Sequence, residues 1–286
     1  MTLLHRHRWL TPTLLLLPGM AWLAVFFVVP LGYLFYQSLE SGSILTGGFS
    51  FTWEVSNYRD AVSTYDEQLL RSFLYAGLAT VAALAISYPL VYWIAFRAGR
   101  WRNLALLVIV APFFVTYLVR TLAWLNILAD EGPVVDALQS VGLLGEGGRL
   151  LATTFAVVAG ITYNFLPFMA LPLYVSLEQL DPRLLEAAKD LYASPAQAFL
   201  RVTLPLSAPG IVAGTLLTFI PAAGDFVNAA LLGTPRQSMI GNVIQSRFLE
   251  QIDYPSAAAL SFVLMALILV ALLVYARVVG TERLTG

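Results

Sequence analysis

The sequence predicts an all-α protein that crosses a membrane with six helices. Of its 286 residues, 59% are hydrophobic and 12% are charged, and the mean hydropathy is +0.77, a composition unlike that of a soluble domain. Spanning the hydrocarbon core as a helix takes about 20 apolar residues, and six stretches have that length. They cover residues 10–37, 69–96, 104–129, 151–177, 209–232 and 257–279.

The first stretch follows a basic run, His5 to Arg8, as the apolar region of a signal peptide would. It is too long for that role, it contains Pro18 and Pro30, and it has no clean small-residue cleavage site. We therefore predict that this segment is a retained span.

Basic residues are distributed unevenly between the loops on the two sides. Cytoplasmic loops carry an excess of Lys and Arg, and the side that includes both termini has twice as many as the other. This inner group runs from Arg6 and Arg8 through the short basic loop at 97–102 to Arg277 and Arg283. The sequence therefore predicts that both termini are cytoplasmic.

Several chemistries are excluded by composition. The chain has no cysteine, and its two histidines, His5 and His7, lie in the amino-terminal tail, so thiolate and histidine-based centres are not expected. The sole lysine, Lys189, follows Ala188, whereas a phosphate-binding loop needs a Gly-Lys pair. A net charge of -1 gives no footprint for nucleic acid. We predict no catalytic residue, no metal site and no cofactor bound by this chain.

The three predicted outer loops differ in character. Residues 40–71 form a long acidic loop with a glycine-rich turn, residues 130–149 contain a short amphipathic stretch, and residues 234–254 have apolar residues at helical spacing. These loops either dock a substrate-carrying protein or are simply solvated.

The inner loop between the fourth and fifth spans carries two helix-start signals. Asp181 before Pro182 is a typical N-cap, and Ser194 before Pro195, with Gln197 three residues after the cap, forms a capping box. The sequence predicts two short helices within residues 181–205, which meet at residues 192–193, the second ending before residue 204. Such an elbow is either a mechanical lever for a partner or an ordinary amphipathic connector.

In this elbow, Glu-Ala-Ala at 186–188 is followed by Ala-Ser-Pro at 193–195 and Leu-Pro-Leu at 204–206. These residues resemble the EAA coupling loop of bacterial ABC importer permeases. The family has glycine where this chain has Tyr192, so a positive φ there would cost on the order of 1 kcal/mol, or else the turn is reshaped or uses Ala193. The resemblance implies that the ATPase is contacted by Glu186, Ala187, Ala188, Lys189, Asp190, Tyr192, Ser194, Phe199 and Pro205.

Further patches lie at residues 88–92, 118–124, 166–174, 224–227, 231–233 and 240–244. They resemble those of one subgroup, the permeases of spermidine/putrescine importers. This resemblance implies a single transmembrane permease domain over residues 1–286, in a bacterial inner membrane. It also implies a second homologous permease subunit, an extracytoplasmic substrate-binding protein, and two cytoplasmic ATPase subunits that hold ATP and Mg. Permeases for other small organic or inorganic solutes share several of these patches and remain the alternative.

Two ionisable residues, Arg120 and Asp225, fall well inside predicted spans. A charge there costs about 2.5–3.5 kcal/mol on insertion scales, and counting along straight helices places both about 25 Å from the cytoplasmic side. Either they neutralise each other or a neighbouring subunit, or Asp225 attracts a cationic amine, with Thr218 and Asn228 on the same helix face. Arg120 would then need a carboxylate, or it marks an anionic substrate.

Polar and aromatic residues around these charges suggest a passage. Tyr117 and Trp124 flank Arg120 at helical spacing, and Tyr163 and Asn164 lie in the middle of the fourth span. The rings either line the path of an alkylammonium solute through cation-π contacts or pack against lipid and protein.

Two rival classes fit less well. An ion-coupled secondary transporter would show inverted repeats and relay carboxylates at the midplane, and we find neither clear repeats nor a second buried acid. A membrane enzyme would need a nucleophile, an intramembrane histidine or paired carboxylates.

Overall fold

The computed structural model describes residues 10–44, 47–145 and 147–279. Helices dominate these residues, which confirms the all-α class. The structure adds an antiparallel hairpin, in which Glu40–Ser43 pairs with Gly48–Phe51, that the sequence did not predict. The basic terminal residues His5, Arg6, His7, Arg8 and Arg283 lie outside the described residues.

The chain divides into two compact units. Unit 1 comprises residues 1–64 and 244–263, and unit 2 comprises residues 65–243 and 264–286. The chain passes between them three times, first at Tyr65, where the backbone of a long helix leaves helical geometry (φ -121°, ψ 23°). The expectation of one permease domain over residues 1–286 stays a prediction.

Unit 1 begins with the first predicted span. Its helices α1 (Leu10–Leu23) and α2 (Val29–Ser38) are joined by a π-helical turn, Ala24–Val28, into one helical run. The hairpin, β1 (Glu40–Ser43) and β2 (Gly48–Phe51), follows directly. Asn57 then donates hydrogen bonds from Nδ2 to the carbonyl oxygens of Ser38 and Glu40, at 3.0 and 2.9 Å. The predicted long loop over 40–71 is therefore wrong in part, because helix α3 already begins at Ser56.

Unit 2 contains most of the remaining helices, and three of the helices named below, α3, α13 and α14, are shared with unit 1. In chain order the helices are α3 (Ser56–Phe96), α4 (Arg102–Val110), α5 (Tyr117–Ile127), α6 (Pro133–Ser140), α7 (Thr154–Glu178), α8 (Pro182–Asp190), α9 (Pro195–Ala198), α10 (Leu204–Leu206), α11 (Ala208–Ala223), α12 (Val227–Leu232), α13 (Ile240–Gln245) and α14 (Tyr254–Val279).

Among the described residues, four helices are long and apolar enough to cross a membrane, and two bent helix pairs raise the number to six if each pair is one span. The four are Thr13–Ser38, Ser56–Phe96, Thr154–Glu178 and Tyr254–Arg277. The third and fifth predicted spans are therefore not continuous helices.

The third predicted span is broken near its middle. A 3-10 turn, Ala111–Phe114, contains Pro112, which has no N–H to donate. Val115 and Thr116 are then extended, and α5 leaves at 100° to the preceding segment. The fifth span breaks where α11, with Pro221 inside it, ends at Ala223.

Two buried clusters form the core of unit 2. One contains Leu128, Ile161 and Met239, and the other contains Val91, Ile94 and Leu173, all at most 1% exposed. Helix α7 contributes to both clusters. It therefore serves as the central helix against which the candidate site residues are placed.

Candidate functional site

The elbow begins and turns at the predicted caps. The Asp181 carboxylate accepts a hydrogen bond from the backbone N–H of Arg183 at 2.9 Å, so α8 starts at Pro182. At the second start, the backbone N–H of Gln197 donates to Ser194 Oγ at 3.3 Å, and the Ser194 N–H donates to Gln197 Oε1 at 2.9 Å. Both local predictions are confirmed.

Tyr192 itself takes the left-handed conformation between the two helices, with φ of 59°. Its N–H donates to the carbonyl of Lys189 at 2.9 Å, and the N–H of Ala193 donates to that of Ala188 at 3.0 Å. These two bonds define a Schellman motif, in which glycine is the usual left-handed residue. The turn therefore keeps its geometry with tyrosine in the strained position, and it is not moved to Ala193.

The predicted end of the second helix is wrong. After α9, a π-helical turn (Phe199–Thr203) continues into α10, so the helical run extends through Pro205 to Leu206 before bending by 62° into α11. Pro205 lies just after the π-helical turn, inside this continuous helical run, and contributes no N–H to it.

Phe199 attaches the elbow to α3 rather than facing outward. Its ring is 5.4 Å from that of Tyr88 and 6.0 Å from that of Tyr92, edge-on in both cases. Tyr88 also shares a hydrogen bond of 2.7 Å with Ser207, at the bend into α11. The elbow is therefore in direct contact with α3 and continues into α11, so a force on the elbow would act on both helices.

The elbow is mostly exposed. Tyr192 is 97% exposed and Leu191 is 81% exposed, and Ala187 and Asp190 are also exposed. Glu186 and Lys189 border a cavity of about 610 Å³ between the elbow and the end of α3, whose floor is aromatic. The predicted coupling residues thus offer both charge and uncovered apolar area.

Asp225 lies in the break of the fifth span and is 6% exposed. Its carboxylate accepts hydrogen bonds from the hydroxyl of Tyr117, from the backbone N–H of Asn228 at 2.9 Å and from Asn228 Nδ2 at 2.8 Å. Asn164 Nδ2 extends the network by donating to Asn228 Oδ1 and to Thr121 Oγ1, both at 3.2 Å. We call Tyr117, Arg120, Thr121, Asn164, Asp225 and Asn228 the buried polar cluster.

Arg120 is 8% exposed and has no carboxylate within 4.0 Å among the described residues. Its guanidinium carbon lies 5.9 Å from the ring centre of Phe113 and 5.6 Å from that of Tyr117. One terminal nitrogen donates to the carbonyl of Asn164 at 3.4 Å, and Nε has no partner within the described part of the chain. Arg120 and Asp225 therefore do not form an ion pair with each other, and Tyr117 contacts both.

Two helix breaks and two glycines position this cluster. A Cβ on Gly160 of α7 would be 2.5 Å from Leu232 Cδ1 and 2.6 Å from Asn228 Oδ1, so these two side chains of α12 would have to move. A Cβ on Gly241 would be 2.5 Å from the carbonyl oxygen of Gly224, beside Asp225. Because this second contact is with the backbone, which cannot move aside as a side chain can, the geometry of the break requires glycine at 241.

Three predicted pathway residues lie elsewhere. Trp124 and Tyr163 form an edge-on ring pair at 5.6 Å and border an apolar cavity of about 710 Å³. Thr218 is fully buried, and its Oγ1 has no hydrogen-bond partner in the described part of the chain. The shared helix face proposed for Thr218 and Asp225 is wrong, because α11 ends between them; the straight-helix heights fail for the same reason.

Thr121 belongs to the cluster but was not predicted. Its Oγ1 donates toward Asn228 Oδ1 at 3.4 Å, and it is fully buried. The signal was present: Thr121 follows Arg120 and lies four residues after Tyr117, on the same face of α5.

The chain matches the model of one protein family along nearly its whole length. Residues 8–280 match the binding-protein-dependent transport system inner membrane component. The spermidine/putrescine transport system permease protein PotB of Haemophilus influenzae is 37% identical over 263 residues, covering 92% of this chain and 87% of the relative. PotB of Escherichia coli is 40% identical over 213 residues, covering 74% and 78%.

Solved structures share the fold. A bacterial ABC transporter that imports the acidic polysaccharide alginate contains a chain that matches with a TM-score of 0.67 at 19% identity, covering 99% of this chain and 98% of that one. The MetNI methionine ABC transporter matches with a TM-score of 0.57 at 15% identity, covering 74% and 93%.

Proposed function

Because the chain belongs to the family of binding-protein-dependent transport system inner membrane components, we propose that it is the permease subunit of an ATP-driven importer for a polyamine such as spermidine or putrescine. The observation that carries the choice of solute is Asp225, a carboxylate that is 6% exposed, is held by three donors and has no cation within ion-pair distance in the described residues. The names of the PotB relatives support the same class of solute.

The proposed assembly contains a second homologous permease, two cytoplasmic ATPase subunits and an extracytoplasmic substrate-binding protein. ATP and Mg are held by the ATPase subunits, and this chain supplies neither catalytic residues nor a metal site. Both termini and the elbow face the cytoplasm, as the distribution of basic residues favours.

In the proposed mechanism, the two permeases alternate between outward-open and inward-open states. Closure of the ATPases pushes on the elbow, and its contacts to α3 through Phe199 and Tyr88 pass the motion to the spans. The buried polar cluster then lies at the two helix breaks, where irregular backbone within a membrane is tolerated because protein or a cavity surrounds it.

A second candidate is import of a small anion, which Arg120 favours because no carboxylate pairs with it in the described residues. Uptake into proteoliposomes that contain the whole importer distinguishes the two. We expect uptake of radiolabelled putrescine, with excess spermidine competing and excess molybdate or sulfate not competing. Uptake of radiolabelled molybdate or sulfate, with no uptake of putrescine, would favour the second candidate.

A further inference from the structure

Unit 1 contains a polar cavity of about 350 Å³ between the hairpin and the start of α14. We call it the hairpin cavity. Its walls combine the first strand, the segment after the π-helical turn Ser246–Glu250, and the amino terminus of α14. The lining residues that matter below are Glu40, Ser41, Arg247, Ile252, Asp253 and Ser256.

The hairpin cavity has one uncompensated negative charge. Arg247 donates to Asp253 Oδ2 at 2.9 Å, so these two charges neutralise each other. Asp253 Oδ1 accepts in addition from the backbone N–H of Ser256 at 3.3 Å. Glu40, a half-buried residue of the first strand that also lines the cavity, has no basic side chain within 4.0 Å among the described residues.

The rim of the hairpin cavity includes a strained residue. Ile252 is β-branched, yet its φ is 52°, in the left-handed region. The flanking backbone holds it there, since the N–H of Gln251 donates to the carbonyl of Ser246 at 2.9 Å and that of Asp253 donates to Arg247 at 2.8 Å. Strain of this kind is concentrated at binding sites.

We propose that the hairpin cavity binds an alkylammonium group, with the Glu40 carboxylate as its counterion. An ammonium has three donors, and Ser41 and Ser256, which carry possible acceptor oxygens, line the same cavity as Glu40. The inference extends the proposed function, because in that orientation the cavity is extracytoplasmic. The ammonium belongs either to a lysine of the substrate-binding protein or to the amine solute before it enters the spans.

Two measurements on the purified whole importer test the proposal and separate the two sources. The first is the concentration of loaded binding protein that gives half-maximal ATPase stimulation. The second is direct binding of radiolabelled putrescine without the binding protein, made in a D225N background so that the buried polar cluster does not contribute. The variants are E40Q, E40K and, as a matched control, D60N, which removes an exposed carboxylate that does not line the cavity.

We expect E40Q to raise one of two quantities about ten-fold: the concentration of binding protein for half-maximal ATPase stimulation, or the dissociation constant for putrescine. A ten-fold change is the usual effect of losing a charge-assisted hydrogen bond. E40K places its own ammonium in the cavity and should abolish the interaction that E40Q weakens. D60N should match the parent in both measurements. A shift in the first measurement assigns the ammonium to the binding protein, and a shift in the second assigns it to the solute.

If E40Q and E40K match D60N in both measurements, the proposal is overturned. Absence of ATP-dependent uptake by the parent importer would instead overturn the proposed function, while the second measurement still tests the cavity.

Discussion

The elbow and the buried polar cluster obtain their geometry in different ways. In the elbow, each cap bond joins residues no more than five apart, such as Ser194 with Gln197. In the cluster, side-chain bonds between elements join residues 43 to 111 apart, from α5, α7, α12 and the break before α12. Local sequence thus determines the first region, whereas tertiary packing determines the second.

The two regions also differ in the solvent exposure of their residues. Leu191 and Tyr192 are 81% and 97% exposed, whereas Asp225 and Arg120 are 6% and 8% exposed. Apolar area left uncovered on a polar loop is typical of a surface for a protein partner. Buried charges without counterions are expensive in a membrane and mark a functional site. This difference supports the proposal that the elbow receives force from the ATPase and that the cluster handles the solute.

The largest expected effect is a loss of ATP-driven uptake without a loss of membrane insertion. E186K reverses a charge on the exposed elbow, and we expect ATP-dependent putrescine uptake to fall by about 100-fold, since like charges at an interface cost several kcal/mol. The amount of chain in the membrane should not change. E131K makes the same substitution in an exposed residue of the loop before α6 and should retain uptake; equal losses in both variants would contradict the assignment.

The next effect concerns the cluster. D225N keeps the side-chain volume but removes the charge, and we expect the half-saturation concentration for putrescine to rise about ten-fold. ATPase coupling to the binding protein should persist, in contrast to E186K. An unaltered half-saturation concentration in a radiolabelled uptake assay would remove Asp225 from the solute path.

A backbone substitution tests whether the helix break matters. In G241A the new Cβ would be 2.5 Å from the carbonyl oxygen of Gly224, so we expect a loss of about 1–3 kcal/mol of stability, as in other overpacked sites, together with reduced uptake. A Cβ added at Gly77 would meet no described atom within 4 Å, so G77A is the matched control. Equal thermal unfolding temperatures for the two variants would show that the break tolerates movement.

The smallest effect concerns the elbow turn. Y192G removes the strain of a tyrosine at φ of 59°, and we expect a gain of about 1 kcal/mol in stability. The control is L191G, at a residue with φ of -86°, which should lose stability. Thermal unfolding of the purified chain measures both, and a loss in Y192G would mean that the tyrosine ring makes stabilising contacts.

Much of the elbow was predictable because its signals are local. Asp181, Ser194 and Gln197 specify helix starts by their own side chains, so the sequence was sufficient. The left-handed turn at Tyr192 could be predicted only as one of several alternatives, since a tyrosine does not favour it. The extension of the helix through Pro205 was missed, because a π-helical turn has no reliable sequence signal.

The cluster was predictable in membership but not in geometry. Polar residues in apolar spans identified Tyr117, Arg120, Asn164, Asp225 and Asn228. The sequence-based placement assumed straight helices, but two of the spans are broken. Helical periodicity does not apply across a break, so residues on its two sides need not share a helix face. Thr218 was grouped with the cluster for that reason, whereas Trp124 and Tyr163, on the unbroken helices α5 and α7, were grouped with it by ring type and position. The position of the Tyr117 ring, in contact with both Arg120 and Asp225, is determined by tertiary packing and has no local sequence signal.

The central claim is that the elbow faces the cytoplasm and is covered by an ATPase, and a single cysteine tests it directly because the chain has none. A187C, at an exposed elbow position, would be treated with a membrane-impermeant maleimide in vesicles of both orientations, with E131C as the control for the opposite side. We predict labelling of A187C only in inside-out vesicles, and protection when the ATPase subunits are bound. Labelling of A187C from the outer side, or labelling that the ATPase subunits leave unchanged, would contradict the account.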